Sequence, residues 1–287
     1  MKAKDLVTKE EDIVKGVMWQ SHQKRSLSKD IVKNSLEAKR RLRKITDIED
    51  IFCDNLLLDF VLAATMLSKK SIQHFSHSSL VSYIKSEIDF DRINEQNYLN
   101  EIEKYYLQTA GEAVGGKIRN IIGKKGNDIF VRYIKEYLNK NNIEYIEIIK
   151  NNNIQLIETN EIVILFNKKP NFIGKSVDFL VIKKYENGTY DIEDHNQYIS
   201  AGELKSGIDP AGADEHWKTA RTALSRIHKA FIQKNIDSPN IFFIGGAISK
   251  NMAEEIIENI YNKKLAWGAN LNNKKQMEKT IKELLNL

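Results

Sequence analysis

Tyr198-Ile199-Ser200-Ala201-Gly202-Glu203-Leu204-Lys205, with the run Ser206-Gly207-Ile208-Asp209-Pro210-Ala211-Gly212-Ala213-Asp214-Glu215-His216-Trp217-Lys218 that follows, decides how this 287-residue chain is read. The first eight residues have the length and apolar character of a buried strand. Strand side chains alternate with period two, so Glu203 and Lys205 leave the same face. A carboxylate able to hold a divalent cation then stands beside an ammonium able to neutralise or position an oxyanion. The pairing suits phosphodiester hydrolysis once a second carboxylate arrives. Asp178, in Val177-Asp178-Phe179-Leu180-Val181-Ile182, supplies one.

Each part has an ordinary explanation as well. Glu-x-Lys on a strand is often a plain charged face, and an Asp at a strand end can sit in solvent or in a salt bridge. Left alone inside an apolar run, a carboxylate carries a desolvation penalty unless it is paired or bound to metal. The conjunction narrows the choice. Asp178, then Glu203 25 residues later, then Lys205, all on short apolar strands, form the PD-(D/E)xK nuclease pattern, with Val177 where a proline usually stands. Downstream, Asp209-Pro210 and Gly212 make a turn, and Ala213-Asp214-Glu215 opens a helix with acids at its positive end. His216 falls in the first turn, where imidazolium is disfavoured, so the ring can accept a proton; a solvent-exposed helix-start histidine is the plainer reading. Trp217, Ala220, Leu224, Ile227 and Phe231 recur at helical spacing, an amphipathic stripe that makes Trp217 a core residue.

Around this stretch the chain has two textures. Residues 1–150 read as mainly helical, with stretches near 28–44, 48–68, 78–86, 92–109, 112–123 and 127–141, Thr8 as a cap, and connections at 73–79 and at Gly123-Lys124-Lys125-Gly126. Residues 151–287 carry strands at 162–166, 177–182, 198–205 and 241–248, with helices at 252–262 and 274–285. That order predicts an α/β core with a mixed central sheet flanked by helices. His74 and His77 read as loop histidines in solvent.

Composition fits a globular protein, with 41% hydrophobic and 29% charged residues. The net charge of +5 is mild but uneven: residues 24–44 hold nine Lys or Arg against Asp30 and Glu37. That run is a solvated helix face or a surface for a polyanion. The single cysteine, Cys53, has no disulfide partner, fits a reducing compartment, and reads as buried packing. Neither a signal peptide nor a membrane span is recognisable; Leu56–Leu67 is too short and contains Asp59. A cytoplasmic protein is expected.

Gly202 to Ala220 resembles the AvaI/BsoBI family of Type II restriction endonucleases, and the likeness continues through Ala223-Leu224, Arg226-Ile227, Ile244-Gly245 and Met252 to Ile256. Gly115 to Ile121 and Lys175 to Asp178 are also similar to family segments. The resemblance implies a restriction-endonuclease-like core in residues 151–287 and a helical region, residues 1–150, that embraces and recognises DNA. It also implies a homodimer on double-stranded DNA, cutting at a CYCGRG-like site with Mg²⁺ as cofactor.

By position, it makes Asp178 and Glu203 the metal-holding carboxylates, joined by the carbonyl of Leu204. Lys205 becomes the motif lysine, and His216 the histidine near the scissile phosphate. Lys175 and Asp209, with Lys69 or Lys70, become base-contacting residues; an Asp can accept from cytosine N4, and a Lys can donate to guanine O6 or N7. Glu112 is an accessory acid or a helix-start charge. Ser206 stands where relatives have glycine, and Tyr185 where a DNA-touching histidine is expected. The rival readings are a PD-(D/E)xK nuclease of repair or structure-selective type and a DNA-binding protein that does not cleave.

Overall fold

The computed structural model describes residues 1–68, 70–209 and 212–286. The chain divides into two compact units, one of residues 1–18 with 121–287 and one of residues 19–120.

The first unit is built on a seven-stranded sheet in the order β1 (Ile146–Lys150), β2 (Asn153–Glu158), β3 (Ile162–Lys168), β4 (Val177–Lys183), β5 (Tyr198–Lys205), β6 (Asn240–Gly245) and β7 (Trp267–Asn270). Strands β1 to β5 pair antiparallel; β5 pairs with β6, and β6 with β7, in parallel. The parallel pairs are joined by α7 (Ala213–Ile232) and α8 (Lys250–Tyr261), as crossovers require. Strands β3 and β6 are apolar on both faces because both faces are covered. Val163, Leu165 and Phe243 pack with Trp217, Leu224, Ile227 and Phe231 of α7. Ile164, Phe166, Phe242 and Ile244 pack on the other side with Phe130, Ile134 and Leu138 of α6 (Gln96–Lys140) and with α9 (Lys274–Leu285). The stripe on α7 is thus core, as its spacing predicts.

Three strands are not evident from sequence pattern. β1 is exposed along its whole length, so no burial period marks it. β2 is short and polar-flanked, and β7 has only four residues, including Gly268. α6 runs without interruption, correcting the break expected at Gly123–Gly126; interior glycines cost a helix about 1 kcal/mol each and do not by themselves end it. Glu112, in consequence, is an exposed mid-helix residue rather than a helix-start charge.

A further correction concerns Thr8. After the short helix α1 (Ala3–Leu6), α2 (Glu10–Leu42) begins at Glu10, and the Thr8 hydroxyl is engaged elsewhere: it donates to Gly246 O and accepts from Ile248 N (2.8 Å) and Asn270 Nδ2 (2.7 Å). Those bonds use the full capacity of a hydroxyl. Asn270, 3% exposed, also donates to Leu6 O and accepts from Asn272 N. The N-terminal segment is therefore tied to the ends of β6 and β7. Asn270→Ala leaves several of these buried groups unpaired, and a loss of about 1–3 kcal/mol is expected in denaturant unfolding. Unchanged stability would contradict this role.

The second unit packs α2 (Glu10–Leu42, from residue 19), α3 (Glu49–Cys53), α4 (Asn55–Ala64), α5 (His77–Glu87) and α6 (to residue 120) around Leu42, Phe60, Ile84, Leu99 and Tyr106. Asp54 separates α3 from α4 inside the stretch read as one helix, accepting from Leu56 N and Leu57 N as an N-cap. Four of the nine basic residues of the run at 24–44 are engaged inside this unit. Arg40 and Arg41 pair with Glu37, Arg41 also with Asp54, Lys39 with Glu103, and Arg43 with Gln96. Cys53 is exposed, not buried as expected. His77 is an exposed histidine, paired with Glu49 at 3.0 Å. Among the described residues no helix is long and apolar enough to cross a membrane.

Candidate active site

β4 and β5 set the site. Phe179 pairs with Gly202 in an antiparallel ladder, which carries Asp178 opposite Glu203 one step on. Directly opposed residues share a face. Ala201 on β5 and Leu180 on β4 mark that face as the α7 side. Asp178 opens β4 where Glu203 and Lys205 close β5, so all three collect at one end of the sheet.

The side chains meet there. Lys205 Nζ lies 2.6 Å from Glu203 Oε2 and 3.3 Å from Asp178 Oδ2. Asp178 Oδ2 also accepts from the backbone N–H of Leu204 at 2.8 Å. The Leu204 position thus contributes a donor that holds Asp178 in place. Glu203 is 4% exposed, whereas Asp178 and Lys205 are half-buried. Burial, together with the facing charge of Asp178, pushes the Glu203 carboxyl up to about 7 despite Lys205. Burial alone would depress the Lys205 ammonium, but the two carboxylates outweigh it and hold the group above its ordinary value. The cation is therefore a stable occupant between two acids.

His216 sits in the first turn of α7, half-buried, with its ring against Gly207. A Cβ on Gly207 would meet His216 Nδ1 at 2.8 Å, so glycine here makes room for the imidazole two residues beyond Lys205. Asp209 is exposed at the end of the same loop, and Lys175 is exposed in the turn before β4, next to Gly174 with φ +76°. Lys70 is exposed in the unit of residues 19–120, at the cap of the turn Ser71–His74. Lys69 lies outside the described residues, as do Pro210 and Ala211. Tyr185 donates to Asp194 Oδ2 at 2.7 Å, which pushes its phenol up to about 12.

One group escaped sequence reasoning. Gly246 N donates to the Lys205 carbonyl at 2.7 Å, and a Cβ there would lie 2.8 Å from Ser206 O and 2.9 Å from Gly207 O. The Gly245-Gly246 pair closing an apolar strand was the available signal, since paired glycines there mark close backbone approach.

Two opposed oxygen-donor side chains suit a hard divalent cation such as Mg²⁺, which commonly takes one or two carboxylates and completes its shell with water and substrate phosphate. Among the described residues no group of three or more His, Cys, Asp or Glu forms a metal cluster.

The chain matches the family described as restriction endonuclease BsobI over residues 1–160 and 146–287. It is 31% identical over 289 aligned residues to the Type II restriction enzyme AvaI of Nostoc sp., covering 93% of this chain and 91% of that protein. The same figures hold for the Type II restriction enzyme AvaI of Anabaena variabilis. The Type II restriction enzyme BsoBI of Geobacillus stearothermophilus is 30% identical over 255 residues, 80% of this chain and 79% of that protein. With the fold, the carboxylate pair and matches spanning most of the sequence, the chain belongs to the BsobI restriction endonuclease family and is a Type II restriction endonuclease.

Proposed function

We propose that this protein cuts double-stranded DNA at a defined, CYCGRG-like sequence by Mg²⁺-dependent phosphodiester hydrolysis, with Asp178, Glu203, Lys205 and His216 as the reacting centre. The observation that carries the reading is the Lys205 ammonium held between two opposed carboxylates at the end of β5. Asp178 and Glu203, with the carbonyl of Leu204, hold the cation. Bound there, Mg²⁺ supplies Lewis acidity toward a phosphate oxygen and lowers the pKa of water.

Lys205 orients the attacking water and neutralises charge growing on the phosphorus centre. His216 accepts a proton from that water or orients it, its ring held beside the loop by Gly207. Asp178 is fixed by the Leu204 N–H, so the pair is preorganised rather than assembled on binding. Asp209, Lys175 and a lysine at 69 or 70 read base edges. Residues 1–150 enclose and recognise the duplex, and residues 151–287 cut it. A palindromic site is matched by twofold symmetry, so the working form is a homodimer.

Digestion of a sequenced plasmid with Mg²⁺, followed by sequencing of the fragment ends, tests this reading. Ends sharing one short sequence are expected. Ends without a common sequence would indicate a structure-selective nuclease, and a retarded but intact duplex would indicate a binding protein without catalysis.

A further inference from the structure

We propose that Gly126 and Gly16 are positioning residues: the absent side chains on α6 and α2 form the seat in which the loop Ser206–Ile208 docks, and that seat fixes Lys205 and Asp209 relative to each other. The proposal rests on the roles given above to those two residues.

Strand β5 ends at Lys205, and Asp209 follows only four residues later, so the intervening loop is the sole covalent link between cutting and base reading in this stretch. Ordinary loops are free on one side. This one is held at every residue. A Cβ on Gly126 would collide with Cβ and Oγ of Ser206 at under 3.0 Å and stand 3.3 Å from its Cα. One on Gly16 would collide with the Ile208 side chain in the same way. Between them, Gly207 is covered by the His216 ring, and Gly246 lies beneath the carbonyls of Ser206 and Gly207.

The rest of α6 shows that this requirement is local. Gly111, Gly115, Gly116 and Gly123 lie on the same helix, and a Cβ at any of them would meet nothing within 4 Å. Only Gly126 is buried among these five, and only there does a neighbouring backbone press in. The floor is equally fixed. Gly246 donates to the Lys205 carbonyl at 2.7 Å, while its own carbonyl accepts from Thr8 Oγ1 and from Asn272 Nδ2. Ser206 therefore has no direction of retreat except along the chain, toward Lys205 on one side and Asp209 on the other. A displacement of about 1 Å at a reacting group can cost about 10²-fold in rate.

A double-mutant cycle tests this, with melting temperature, duplex affinity and single-turnover cutting rate measured for each form. Gly126→Ala is expected to slow cutting by about 10- to 100-fold with duplex affinity retained. Removing the opposing side chain, as Gly126→Ala with Ser206→Gly, is expected to restore most of the rate, a non-additivity that simple loss of stability would not produce. Gly123→Ala, on an open stretch of the same helix, is the control and is expected to cut like the wild type. Should Gly126→Ala be unfolded, recovery of both fold and rate in the double variant still supports the seat. Wild-type rates in Gly126→Ala overturn it, as does slow cutting by a folded double variant. A wild-type protein that leaves DNA intact overturns the reading of the site itself, a distinct result.

Discussion

Lys205→Ala is expected to lower the single-turnover cutting rate by about 10²- to 10³-fold, the loss typical when one preorganised electrostatic donor is removed. The geometry makes the upper end the better expectation. Lys205 Nζ is 2.6 Å from Glu203 and 3.3 Å from Asp178, so its removal also leaves two opposed carboxylates without their compensating charge. Glu203, buried beside Asp178, then keeps its proton to higher pH and holds a cation less well. Lys205→Arg should recover little, because a planar fork does not replace a compact ammonium between two close acids. Single-turnover cleavage of a duplex carrying the recognition sequence provides the measurement. A wild-type rate in Lys205→Ala would remove this residue from the reaction.

The second large effect is on pH. Glu203 titrates at about 7, above the 4.5 of an ordinary glutamic acid, because it is buried and faces Asp178. A raised carboxyl favours the protonated form of the folded protein. The stability from this group is therefore fully present below about 4.5 and lost as pH rises through about 7, on the order of a few kcal/mol. In a chelator-treated protein, Glu203→Gln should become progressively more stable than wild type across that window. Cation binding runs the opposite way, since the carboxylate must give up its proton first. Apparent Mg²⁺ affinity should fall up to about tenfold per unit below pH ~7, and raising Mg²⁺ should move the acid limb of the rate profile downward. An acid limb insensitive to Mg²⁺ would count against Glu203 as a cation-holding group.

Much of the site is legible in the sequence, for definite physical reasons. Glu203, Lys205 and Asp178 lie on mostly apolar strands, so their charges stand out, and period two predicts a common face for Glu203 and Lys205; that Asp178 shares it follows from the β4–β5 register. The helix after them announced itself through the acids at 214 and 215 and the stripe from Trp217 to Phe231. What pattern could not supply was depth. Nothing in Glu-Leu-Lys says that Glu203 is nearly sealed off while Asp178 stays half-buried, yet that difference sets the titration of the site.

Other features were hidden because their cause is tertiary. β1 is a sheet edge exposed on both faces, so it lacks any alternation of burial. Gly126 looked like a helix break because local propensity carries no record of Ser206 pressing against it. Within the basic run, the partner of Lys39 is not legible locally, because its acid is Glu103, 64 residues away in sequence. Cys53 looked buried because its neighbours are apolar, although its own side of α3 faces outward.

Glu203→Ala decides whether the Asp178–Glu203–Lys205 cluster cuts DNA. Wild-type and variant protein would be incubated with one duplex carrying the mapped site, with Mg²⁺, and each sample read both for gel retardation and for strand scission. The wild type should cut, and the variant should retard the duplex yet leave it intact. Cutting by Glu203→Ala at the wild-type rate would exclude this cluster from the reaction.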